Sequence, residues 1–283
     1  MATFTNQATL AYNGITVNSN TVTGNLVEVL AVTKTAVGNE YSANDTVTYI
    51  VSITNSGTAP FTGVTVTDNL GAYSFDTTTL TPLDYVADSA VYYQNGILQP
   101  APTVTSVNPL TFTGITVPAG GNAIIVYETR TNEFAPLPAL STITNVASVT
   151  AAGITTPLTD TETVTVIDEP VLSITKALNP VNVTENSELT YTFTIQNTGN
   201  SSAVATDNLV ITDTFDPILA GIVVTVDGVT LPAASYTYNE ATGEFATVPG
   251  AITVPAATFT QDPVTGNWIT TPGVTTVTVT GTV

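Results

Sequence analysis

One internal repetition limits what this chain can fold into more than any other feature. Thr48-Tyr49-Ile50-Val51-Ser52-Ile53-Thr54-Asn55-Ser56-Gly57 returns as Thr190-Tyr191-Thr192-Phe193-Thr194-Ile195-Gln196-Asn197-Thr198-Gly199, and Val64-Thr65-Val66-Thr67-Asp68 returns as Leu209-Val210-Ile211-Thr212-Asp213. Upstream of each copy stands a related opening, Val29-Leu30-Ala31-Val32-Thr33-Lys34 and Val171-Leu172-Ser173-Ile174-Thr175-Lys176. Downstream come hairpin turns, Asn95-Gly96 and Asp227-Gly228. A long repeat of this kind predicts two copies of one structural unit. Within each copy apolar residues alternate with Thr and Ser, and Gly, Pro and Asn-Gly break the runs, which is the pattern of half-buried strands. The expected fold class is all-β: two tandem immunoglobulin-like β-sandwiches over residues 26–168 and 169–283, preceded by a hairpin extension over residues 1–25.

A second repetition is out of phase with the first. Thr142-Ile143-Thr144-Asn145-Val146-Ala147-Ser148-Val149 closes the first unit, and its likeness opens the chain as Thr3-Phe4-Thr5-Asn6-Gln7-Ala8-Thr9-Leu10-Ala11-Tyr12-Asn13-Gly14. At the period of a strand, Phe4, Asn6, Ala8, Leu10 and Tyr12 share a face, as do Ile143, Asn145, Ala147 and Val149. The opening copy has no unit of its own to close. The chain stops at Val283, where a strand of this type is due in the second unit. The sequence therefore predicts a second sandwich that lacks its final strand and a spare donor strand at the other end.

Parity also singles out a polar constellation. Of three basic residues in the chain, Lys34 and Lys176 occupy matching positions and face inward with Leu30 and Val32, and with Leu172 and Ile174. Asp68 shares its face with Val64 and Val66, and Asp213 shares its face with Leu209 and Ile211. A lysine is rarely buried without a partner. Burial lowers an amine's pKa and raises a carboxyl's, so a buried Lys can attack an Asn carboxamide that a nearby acid polarises, leaving an amide and ammonia. For the first unit this predicts an isopeptide between Lys34 and Asn145 assisted by Asp68. The competing reading is a buried Lys-Asp ion pair with Asn145 as a hydrogen-bond partner. Glu128 is a second candidate for the acid, and Arg130 is read as a surface residue.

The order of these motifs resembles a known family. An early strand ending in Thr-Lys, then Tyr-x-x-x-Ile-x-Asn-x-Gly, then Val-x-Val-x-Asp, then Ile-Thr-Asn-x-Ala is similar to a repeat domain of unknown function found in tandem in bacterial surface proteins. Such domains look like the isopeptide-bonded sandwiches of pilins and adhesins, which implies an extracellular structural role. This chain departs from the family in phase, because the repeat's last strands stand at its front.

Composition narrows function further. The net charge of −19 repels a phosphate backbone, which argues against nucleic acid. With no cysteine and no histidine, disulfides, thiolate nucleophiles and the usual general base are absent, so an enzyme is not expected beyond self-catalysed bond formation. No apolar run is long enough to predict a membrane span. No cofactor or bound metal is expected, although Asp160, Glu162, Asp168 and Glu169 form an acidic stretch that suits loosely held calcium. The opening residues have neither the basic nor the apolar region of a secretory leader, an observation that leans toward release by lysis from a spore-forming cell.

The sequence thus predicts a subunit of an extracellular bacterial filament, pilus-like or a spore appendage. Its partner is a second copy of itself, joined head to tail when Phe4, Ala8, Leu10 and Tyr12 complete the neighbour's second unit and Lys176 bonds to Asn6 with Asp213 assisting. Two alternatives remain open at this level: insertion of the hairpin into its own second unit, and a monomeric surface adhesin or surface-layer binding module.

Overall fold

The computed structural model describes residues 2–26 and 28–283. Among these residues the protein is built from β-strands with two short 3-10 turns, Ala205–Asp207 and Ala233–Ser235. The alternation seen in the sequence is the alternation of burial: in Thr46–Asn55 and Glu188–Asn197 every second side chain is turned into a core.

Two separate cores form. The first gathers Tyr49, Val51, Ile53, Val66, Phe112, Ile125, Tyr127, Val149 and Val164; the second gathers Tyr191, Phe193, Ile195, Ile211, Phe215, Phe245, Val277 and Val279. Around the first, two antiparallel sheets lie face to face. One runs Ile97–Gln99, Val91–Gln94, Asn122–Thr131, Thr46–Asn55, Leu30–Val37. The other runs Thr103–Val107, Leu110–Val117, Phe61–Asp68, Thr142–Thr150, Leu158–Val166, and ends on the short parallel strand Glu40–Tyr41.

Around the second core the first of these sheets is repeated, in the order Leu172–Asn179, Glu188–Asn197, Gly273–Thr282, Ala220–Val226, Val229–Thr230. The opposing sheet is reduced to Thr212–Thr214, Glu244–Thr247 and Tyr236–Tyr238. Asp213 pairs with Phe245 as Asp68 pairs with Leu110, so Thr212–Thr214 is the counterpart of Phe61–Asp68. Among the described residues nothing pairs its other edge, the edge that Thr142–Thr150 covers in the first core.

The absence shows in the burial. Leu30 is 8% exposed and Lys34 2%, whereas Leu172 is 40% and Ile174 54% exposed on the matching strand. In the first core, Leu158–Val166 lies over that strand, and the Asp160 Oδ2 accepts the Lys34 backbone N–H at 2.6 Å.

Residues 2–26 form a ribbon of their own around the Asn13-Gly14 turn. The sequence predicts two arms, and the structure breaks each into two. Phe4 faces Gly24 and Asn6 faces Val22, but Thr9 faces Asn18, so the second arm carries one extra residue between Ser19 and Thr21. This bulge is held by the Ser19 Oγ, which accepts the Ala8 N–H at 3.0 Å, and by the Gln7 amide, which donates to the Ser19 carbonyl at 2.7 Å. One face of the ribbon carries Phe4, Leu10, Tyr12, Ile15, Val17 and Val22, each at least 44% exposed. The ribbon contains no charged side chain.

Candidate functional site

In the first core, strand parity and sheet register bring the sequence-predicted residues into one interior. Lys34, Asp68 and Asn145 are 2%, 0% and 0% exposed. Ala147 pairs with Asp68 on the adjacent strand, so Asn145 stands two residues along from the carboxylate's partner and on the same face. The Lys34 ammonium contacts the Asp68 carboxylate and lies 4.6 Å from the centre of the Tyr49 ring. Burial pushes the Lys34 amine down from 10.5 to about 8, against the opposing pull of Asp68, Glu162 and Asp160.

Tyr127, Gly71, Leu70 and Tyr49 escaped the sequence reading. Tyr127, pointing inward from Asn122–Thr131, donates its hydroxyl to the same Asp68 oxygen that Lys34 contacts, and burial raises its pKa. Glu128, the alternative acid, is turned outward and exposed, because the alternation that aims Tyr127 inward aims its neighbour away. Gly71 donates its backbone N–H to the Asn145 Oδ1 at 3.3 Å, and Leu70 donates to the Asp68 Oδ1 at 2.7 Å. Gly71 sits at φ 71, and a Cβ there would lie 2.5 Å from the Ile143 Cγ2, so the turn that aims this donor requires glycine. Tyr49 packs at a ring distance of 5.9 Å on Tyr127, with its own pKa raised by burial.

The Asn145 Nδ2 and the Tyr49 hydroxyl are both buried without a hydrogen-bond partner of good geometry. Each such group costs about 1–3 kcal/mol. The carboxamide thus has its oxygen held by Gly71 and its nitrogen beside the Tyr49 hydroxyl, the ring over which the Lys34 amine lies.

The second core repeats half of this arrangement. Lys176 contacts Asp213 and lies 4.4 Å from the Tyr191 ring centre, with Phe193 and Phe215 at 5.6 and 5.5 Å. Its side chain is 40% exposed, because among the described residues no strand lies over it as Leu158–Val166 lies over the Lys34 strand. The groove beside it is lined by Ile174, Lys176 and Phe193 from one sheet and by Val210, Ile211 and Asp213 from the other. Val279 faces Tyr191 where Tyr127 faces Tyr49, so this site lacks the tyrosine donor. Asn6 is not brought to Lys176 within the chain: it pairs with Val22 and is exposed, as are Phe4, Ala8, Leu10 and Tyr12.

Among the other residues marked in the sequence, Arg130 is exposed and its Nε donates to the Asn44 carbonyl at 3.1 Å. Asp160 is occupied by the Lys34 backbone, and among the described residues no three acidic side chains converge as a metal site would need. Among these residues no helix is long and apolar enough to cross a membrane.

No family model matches the chain, and no curated protein matches it. Similar solved structures include pilin and adhesin domains. BcpA, the major pilin subunit of Bacillus cereus, aligns over 96% of this chain and 73% of its own at 11% identity, with a TM-score of 0.37. The collagen-binding domain from a Staphylococcus aureus adhesin aligns over 50% and 99% at 14% identity, with a TM-score of 0.30. A family 123 glycoside hydrolase from Clostridium perfringens aligns over 49% and 27% at 9% identity, with a TM-score of 0.31.

Proposed function

We propose that this protein is the subunit of an extracellular bacterial filament, displayed on a cell or spore and polymerised by strand donation. The observation that carries the reading is a matched pair of defects in one chain: an open groove beside Lys176, and an apolar ribbon with no core to join. In the first core that groove is filled by the hairpin Thr142–Thr150 with Leu158–Val166, the sequence relative of the ribbon.

Carrying the first core's register across predicts the joint. Ala147 pairs with Asp68 and Val149 with Val66, so Ala8 of one subunit pairs with Asp213 of the next and Leu10 with Ile211. The donated arm satisfies the free edge of Thr212–Thr214 by strand addition. Burying Phe4, Leu10 and Tyr12 stabilises the contact by about 1.5–3 kcal/mol each. Such a contact is head to tail and propagates as a fibre.

Both lysines then react alike. The Lys34 ammonium passes a proton to Asp68, and the neutral amine attacks the Asn145 carbonyl carbon while the acid hydrogen bonds to the carbonyl oxygen. The Gly71 N–H assists at that oxygen. Collapse breaks the C–N bond of the carboxamide, whose nitrogen leaves as ammonia with the proton that Asp68 returns, while the attacking nitrogen gives its second proton to the Asp68 carboxylate as it becomes the amide. In trans, Lys176, Asp213 and Asn6 perform the same steps, without a tyrosine behind the acid. Each bond removes a buried amine's charge.

Denaturing electrophoresis of boiled assemblies tests the reading. A ladder that vanishes in Asn6→Ala and in Lys176→Ala is expected. Monomer alone from visibly fibrous material overturns the covalent joint, and compact monomers under every condition overturn the filament.

A further inference from the structure

The chain contains one junction between sandwiches, and it is a template for the joint between subunits. Where the two cores meet, a cavity is lined by Ser42, Leu137 and Ile167 below and by Val171, Thr198 and Asn200 above. The upper end of the first sandwich has a groove at matching positions, lined by Val29, Leu30, Ser56, Asn95 and Gly121, on which no other element is seated among the described residues. The local bonding is repeated too: the Ser56 N–H donates to the Val29 carbonyl at 2.8 Å, and the Thr198 N–H to the Val171 carbonyl at 2.9 Å.

The two upper ends differ in their braces. Asn200 donates from its Nδ2 to the carbonyls of Leu137, at 3.1 Å, and Ile167, at 2.9 Å, and accepts the Glu169 N–H at 3.2 Å, so it ties both sandwiches to the linker. Counting on from Asn55 and Asn197, Thr58 stands at this position in the first sandwich, too short for all three bonds. The second brace is the hairpin Thr258–Gln261 with Trp268–Thr271, which leans onto the first sandwich. There the Trp268 N–H donates to the Glu133 carbonyl at 2.8 Å and the Gln261 Nε2 donates to the Tyr73 hydroxyl at 2.9 Å. Gly266 lies so close that a Cβ would meet the Leu80 Cδ1 at 2.3 Å. In the first sandwich the matching connection is the bare turn Pro118-Ala119-Gly120-Gly121.

We infer that the upper end of the first sandwich is a docking surface for the second sandwich of the preceding subunit, and that this contact is unbraced, so the filament is a chain of rigid two-domain segments that bend where subunits meet. The inference rests on the strand-donation reading. In this geometry the groove at Val29 and Ser56 receives the preceding subunit's loop at Thr184 and Glu185, which matches Ser42 and Ala43 by position from Tyr191 and Tyr49.

Two measurements on the full chain test it. Because the chain has no cysteine, nitroxide labels on Thr159→Cys and Thr230→Cys report the distance between the sandwiches within one subunit. A single narrow distribution is expected in the parent, broadened both by Asn200→Thr and by replacing residues 256–272 with Ala-Gly. Should the hairpin replacement fail to fold, Asn200→Thr alone decides. In electron micrographs of parent filaments, bends should recur once per subunit, and in the brace variants at every domain junction. A broad distribution in the parent, or filaments that bend equally at both kinds of junction or at neither, overturns the inference. Failure to form filaments at all strikes the strand-donation reading instead.

Discussion

The buried amine of Lys34 gives the most quantitative test of the first bond. Asn145→Ala leaves this lysine unreacted in the core, where burial holds its pKa at about 8 against 10.5. A lysine whose folded pKa is depressed is a cost wherever it must be charged: the penalty is full below pH 8 and disappears as pH rises through the window from 8 to 10.5. At about 1.36 kcal/mol per unit the full penalty is about 3 kcal/mol. Tyr41, Tyr49 and Tyr127 have raised pKa values and lose stability above pH 10, so the useful range stops short of that. Between pH 7 and about 9.5 the variant should gain about 2 kcal/mol, which for a folding unit of this size is about 4–8 °C in Tm. A parent in which Lys34 has become an amide has no amine to titrate here and should gain nothing from this group, and Lys34→Met should be equally flat. Calorimetry at a series of pH values on all three proteins reads the difference directly. Parallel pH profiles for parent and Asn145→Ala refute the bond, since an unreacted Lys34 titrates in both.

Intact mass should show each bond as the loss of one ammonia, and Asp68→Ala should retain that mass in the first sandwich while losing about 3–5 kcal/mol, since it leaves a buried amine unpaired. Tyr127→Phe removes a donor from the Asp68 carboxylate; it should slow ammonia loss at Asn145 in a refolding time course without affecting the bond at Asn6, where Val279 already replaces it. Gly71→Ala should cost about 1–3 kcal/mol in chemical denaturation, because the new methyl meets Ile143, and should slow the same bond by moving its N–H from Asn145. Leu10→Asp places a charge at the centre of the donated face and should abolish fibres seen by electron microscopy while leaving the subunit's thermal unfolding unchanged.

Much of this was legible from alternation alone. A period of two aims Lys34, Asp68 and Asn145 inward with no further assumption, and the fold class follows from the same pattern. Burial depth was not legible: Lys176 has Lys34's parity yet is 40% exposed, because parity states direction while coverage depends on strands elsewhere in the chain. Tyr127 carries no signal of its own, being one inward aromatic among several. Gly71 looks like an ordinary turn residue until the fold brings Asn145 to its N–H. The hairpin brace was hidden between Pro255 and Gly273, where the sequence shows only a turn and strand like those after Pro118.

On the strand-donation proposal, the bulge at Ser19–Thr21 has a consequence for subunits before they assemble. A free ribbon with an apolar face and two open edges is the kind of element that stacks with its own copies into cross-β aggregates. The extra residue splits the ribbon's ladder into runs of five and four pairs, Ala2–Asn6 with Val22–Leu26 and Thr9–Tyr12 with Ile15–Asn18. A neighbouring ribbon that lays its unbulged first arm along the bulged second arm is in register along one run and out of register along the next, so that pairing stays short. A crowded pool of monomers can therefore stay in solution until an acceptor groove arrives.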